Sequence, residues 1–78
     1  MVSFEQFSKE VRKHYDSMLR GFTKERRNSY FEGEEAQSYL KSEYEKNLAE
    51  FKKGEITEKE FLGGGASSTG FCLSYMCD

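Results

Sequence analysis

Phe4, Phe7, Val11, Tyr15, Met18 and Phe22 recur at steps of three and four residues. That is the repeat of a helix with one apolar face, because 3.6 residues complete each turn. Ser3 and Gln6 have the spacing of a capping box, which satisfies free amide donors at a helix start, and Gly21 is placed to end the helix. Ala36, Leu40, Tyr44, Leu48 and Phe51 form a second stripe. Acidic Glu34 and Glu35 open it and Lys52, Lys53 and Gly54 close it, an order that suits the helix dipole and a glycine stop. Thr57 and Glu60 repeat the capping-box spacing. No proline interrupts any of this. The spacing predicts helices over 4–20, 34–53 and 57–62, an all-α fold of two main helices plus a short third, with the two stripes packed on each other as a hairpin. Thr23 to Arg27 either begin another helix or form a charged linker, and Gly33 is a break.

Seventy-eight residues allow one small domain at most, and a domain of this size is hard to stabilise by its own core. Charged residues make up 33% and the formal net charge is −2, which argues against nucleic acid as a partner. No apolar run is long enough to cross a membrane, and the first residues are too polar and acidic for a signal peptide. The expected location is the cytoplasm, with no membrane partner for the chain as made.

Composition then changes abruptly at Gly63-Gly64-Gly65. Of 26 charged residues only Asp78 lies in 63–78, together with four of the seven glycines and both cysteines. The third helix is expected to stop at Gly63-Gly64-Gly65, because three consecutive glycines cannot hold a helix when each costs roughly 1 kcal/mol relative to alanine. The segment 66–78 lacks the periodicity to join a helical core, so a disordered C-terminal tail is expected behind a helical segment 1–65.

The tail holds the most chemistry. Ser67, Ser68 and Thr69 precede Cys72, and Ser74 precedes Cys77. A hydroxyl residue can be activated and eliminated to an alkene, and a thiolate is the soft nucleophile that adds to it. Ser68 to Cys72 and Ser74 to Cys77 are separations that a flexible chain closes at small entropy cost. Against this stands the plain reading of a floppy tail with two incidental cysteines. The cysteines are too close together to staple a whole fold by a disulfide.

A glutamate-rich helical segment running Glu58, Glu60, Phe61, Leu62, Gly63-Gly64-Gly65 into a Ser/Thr/Cys-rich tail resembles the precursors of ribosomally made, post-translationally modified peptides. The nearest group is the class II lanthipeptide precursors with double-glycine leaders. The resemblance implies a leader over 1–65 and a core peptide over 66–78. A lanthionine synthetase would bind the leader, with Phe51, Ile56, Phe61 and Leu62 as recognition residues. It would dehydrate among Ser67, Ser68, Thr69 and Ser74 and close thioethers onto them from Cys72 and Cys77. A peptidase, often part of an exporter, would cut after Gly65 or Gly64, leaving Leu62 near the cut. The product would be a secreted antimicrobial or signal. Radical thioether formation or azoline formation would use the same residue types.

On this reading the chain is a substrate, not an enzyme, and no cofactor or metal is expected. His14, the single histidine, has no partner at ligand spacing and reads as a solvated helical residue. Arg26-Arg27-Asn28-Ser29 has the form of a basic kinase site, a pattern short enough to arise by chance. Two rival readings remain: a small helical protein-interaction module with a disordered tail, and a redox or metal-handling peptide that uses Cys72 and Cys77.

Overall fold

A computed structural model describes residues 1–77, and every element in it is helical. Helix α1 spans Phe4–Met18, α2 Lys24–Phe31 and α3 Glu34–Lys52. A fourth rod starts as α4, Glu58–Glu60, passes through a π-helical turn at Phe61–Gly65 and continues without a break as α5, Ala66–Cys77. The all-α expectation holds.

Both capping boxes form. Ser3 Oγ accepts from the Gln6 amide and Gln6 Oε1 from the Ser3 amide, each at 3.1 Å. Thr57 and Glu60 make the same pair at 3.1 and 2.8 Å. Residues 24–31 resolve as a helix rather than a linker. Thr23 Oγ1 caps it by accepting from the Arg26 amide, and Phe31 is its buried anchor. Gly33 separates α2 from α3 as the N-cap of α3. Gly54, at φ +78°, takes the left-handed conformation that turns the chain out of α3.

Two expectations about packing are corrected. The tail is not disordered: 66–77 is α-helix, and Ala66, Thr69, Gly70, Leu73, Ser74 and Cys77 are buried. Asp78 lies outside the described residues. The hairpin of stripes is also replaced, because α1 packs principally on α5 and meets α3 mainly through Phe4, Phe7 and Tyr44. Phe61 sits at the centre of this second contact, its ring 5.4 Å from Phe7 and 5.8 Å from both Tyr44 and Phe51.

The three glycines do sit in a helix. Phe61 and Leu73 on either side of them are fully buried, which stabilises by about 1.5–3 kcal/mol each. That offsets the roughly 3 kcal/mol that three helical glycines cost. The Ala66 amide donates back to the Phe61 carbonyl, the five-residue step of a π turn. The extra residue in the turn lets Phe61 and Ala66 both face the core.

Candidate functional site

Helix α5 carries every hydroxyl and thiol considered for the tail chemistry, and it divides them between two faces. Its inner face is built from small residues. A β-carbon on Gly70 would stand 2.8 Å from His14 Cβ, 2.9 Å from the Val11 carbonyl oxygen and 3.1 Å from the Tyr15 amide nitrogen. The two helices therefore meet nearly backbone to backbone, with Ala66 and Ser74 one turn to either side of Gly70. The buried hydroxyls are satisfied by carbonyls one turn back in the same rod. Thr69 Oγ1 donates to the Gly65 carbonyl at 2.8 Å, and Ser74 Oγ donates to the Phe71 carbonyl at 2.7 Å.

Cys77 is buried beneath Tyr15. The Tyr15 hydroxyl donates to the Arg27 carbonyl at 2.7 Å and lies 3.5 Å from Cys77 Sγ. Burial, and after it the neighbouring thiol, raises the pKa of this tyrosine above the usual phenol value. Cys72 is half-buried, and interaction with its thiol, followed by burial, raises the Tyr39 pKa as well. Cys77 follows Cys72 by five positions, so the two point about 140° apart around the helix axis. Both are free thiols. Among the described residues no group of three His, Cys, Asp or Glu side chains is placed to hold a metal ion.

The outer face of α5 presents Ser67, Ser68, Phe71, Tyr75 and Met76 to solvent, with Cys72 at its margin. Phe71 is 49% exposed, Tyr75 77% and Met76 41%. The Phe71 and Tyr75 rings lie 6.2 Å apart, and Tyr75 continues into a shallow groove walled by Met18, Leu19, Phe22 and Ser74. No residue of Ala66–Cys77 is charged.

The hydroxyl–thiol pairs are therefore unequal. Ser68 and Cys72 lie one turn apart on the accessible side, whereas Ser74 and Cys77 lie one turn apart inside the core. Thr69 is wholly buried and Ser67 is exposed. At the cleavage positions, Gly64 is exposed and Gly65 is half-buried against the Asn47 side chain, both in helical backbone. Of the recognition residues, Phe61 is the aromatic centre, and Phe51, Ile56 and Leu62 are half-buried against the core.

His14 differs from its expected place. It is half-buried, with its Cβ under Gly70. The basic run at Arg26-Arg27-Asn28-Ser29 is partly structural. Arg27 Nη1 reaches the Asp16 carbonyl at 3.3 Å, Arg12 bonds both Asp16 and Asn28, and the Arg12 guanidinium lies 5.0 Å from the centre of the Phe31 ring. Sequence reasoning missed both faces of α5. The signal was the recurrence of Ala66, Thr69, Gly70, Leu73, Ser74 and Cys77 at three- and four-residue steps, written in small residues.

No protein-family model, curated protein or solved structure matches this chain. No helix among the described residues is long and apolar enough to cross a membrane.

Proposed function

We propose that the chain works as a small helical interaction module whose contact surface is the outer face of α5. One observation carries this reading. In a chain that is 33% charged, the twelve residues of α5 bear no charge, although one side of that helix faces water and presents Phe71 and Tyr75. A helix with apolar side chains on more than one side is normally covered on each of those sides. Here α1 covers one side, and an exposed apolar patch on the other is the usual mark of a contact site. On this reading the chain has no catalytic role, and its cysteines stay as thiols.

The precursor-peptide reading is the second proposal. It is favoured by the exposure of Gly63 and Gly64 just before α5, and by Ser68 and Cys72 standing one turn apart on the accessible face. It asks more of the molecule. Thr69, Ser74 and Cys77 are in the core, so a synthetase would have to bind the first helices and draw α5 off α1 before reaching them. A double-glycine peptidase would have to unwind the π turn to thread it as an extended strand. Cutting after Gly65 or Gly64 would then release a cyclised product for export.

The intact mass of the chain isolated from its native cells tests the two. Full-length, unmodified mass with two alkylatable thiols after denaturation is the result expected of the module. A cleaved product short by whole water molecules, with thiols that resist alkylation after reduction, would replace that reading with the precursor.

A further inference from the structure

Cys72 and Cys77 are free thiols on one uninterrupted helix, and that helix keeps them from meeting. Five positions along an α-helix set their Cα atoms about 8–9 Å apart, as well as about 140° around the axis. A disulfide needs Cα atoms within about 7 Å, so no S–S bond joins this pair while α5 is intact. The two thiols also differ in access. Cys72 is half-buried at the margin of the outer face, where a small reagent reaches it. Cys77 is only 6% exposed and lies 3.5 Å from the Tyr15 hydroxyl, in the last turn of α5. Helix ends open more readily than helix middles, so this turn is the place where the pair can come together.

We propose that the last turn of α5 is a redox-sensitive latch, shut while its two thiols are separate and opened when a low-molecular-weight disulfide such as oxidised glutathione joins them. The step is two thiol–disulfide exchanges. The Cys72 thiolate attacks one sulfur of the reagent. A protein–glutathione S–S bond forms, the reagent's own S–S bond breaks, and one glutathione leaves with the proton that Cys72 gave up. Once the turn opens, the Cys77 thiolate attacks Cys72 Sγ. The mixed bond breaks, and the second glutathione leaves with the proton from Cys77. The protein pair has then lost two electrons and the reagent has gained them. The ring spans only six residues, a short closure for an opened turn. The cost falls on the core. Leu73 and Ser74 lie inside the ring; Leu73 is fully buried, and the Ser74 hydroxyl is 3.7 Å from Met18 Sδ. Drawing them and Cys77 off α1 uncovers Tyr15, whose ring lies 5.1 Å from that of Phe31. Because the thermodynamic cycle closes, the factor by which the fold disfavours the ring is the factor by which the ring weakens the fold. The inference goes beyond the interaction-module reading, in which the resting chain keeps both thiols.

The unmodified full chain, equilibrated with mixtures of reduced and oxidised glutathione, then quenched with acid and weighed, tests this. A product lighter by two hydrogens is the ring, and a product heavier by a glutathione is the mixed adduct. The native protein is expected to need a mixture at least tenfold more oxidising than the same chain in guanidinium before half of it carries the ring. The purified ring form is expected to show a lower urea midpoint and weaker helical circular dichroism than the reduced chain. Cys72→Ser cannot close the ring and is expected to keep its midpoint in the same mixtures. Ring formation as ready in the native protein as in guanidinium overturns the proposal, because the thiols would then not be held apart. So does a native chain that forms no ring in oxidised glutathione alone, or a ring form with the midpoint and ellipticity of the reduced chain. Loss of the midpoint in Cys72→Ser as well would overturn it by showing that the ring is not the cause. If that variant does not fold, the wild-type comparison decides alone.

Discussion

Gly70 of α5 approaches Val11 of α1 so closely that a β-carbon on the glycine would stand 2.9 Å from the Val11 carbonyl oxygen. The neighbouring obstacles are His14 Cβ and the Tyr15 amide nitrogen, so backbone on a packed helix would have to move. Alanine at this position gains about 1 kcal/mol of helix propensity and loses more to overpacking, typically 1–3 kcal/mol. Gly70→Ala is therefore expected to lower the urea midpoint and Gly70→Val to lower it further. A midpoint unchanged in both variants would mean that α1 and α5 do not meet here.

Gly63 and Gly64 should respond with the opposite sign. A β-carbon on either meets nothing within 4 Å, and both are exposed in helical backbone. Gly63→Ala and Gly64→Ala are each expected to stabilise by up to about 1 kcal/mol, or roughly 4–8 °C in a domain of this size. Thermal unfolding followed at 222 nm measures it. A fall in midpoint in both variants would show that the turn needs glycine for its conformation.

The contrast between these glycines shows what the sequence displayed and what it hid. Helices α1 and α3 were legible because large apolar side chains mark their buried faces, and the Ser3–Gln6 and Thr57–Glu60 boxes marked two starts. Helix α2 was ambiguous because eight mostly polar residues bury little beyond Phe31. Helix α5 was hidden for a physical reason. A face that approaches another backbone needs small residues, Ala66, Gly70 and Ser74, which leave no large apolar stripe to read, while the glycines lower the helix propensity of the segment. Candidate side chains were legible by type, but their division into an accessible pair and a buried pair required the fold.

That division predicts unequal thiols. Cys77 is buried below the Tyr15 hydroxyl, while Cys72 is half-buried at the edge of the outer face. Thiol chemistry needs access as well as thiolate. In the native protein at pH 8, iodoacetamide is expected to label Cys72 at least tenfold faster than Cys77, with the two rates converging in 6 M guanidinium. Mass spectrometry of timed digests reads both. Equal native rates would place Cys77 at the surface.

Phe61→Ala tests the centre of the α3 contact. The ring is fully buried and touches Phe7, Tyr44 and Phe51, so its removal is expected to cost about 3–5 kcal/mol. In a domain this small that loss is close to complete unfolding, visible as lost ellipticity at 25 °C. A variant that keeps full ellipticity and its midpoint would contradict the aromatic centre.

The central claim is that Ala66–Cys77 completes the core as a helix on α1. Amide hydrogen exchange of the unmodified full chain, resolved by residue, tests it most directly. The predicted result is that the amides of Gly70, Leu73 and Ser74 exchange as slowly as those of Val11 and Tyr15, because the two helices open together. Exchange of 66–77 at the rate of an unstructured peptide, with α1 still protected, would contradict it.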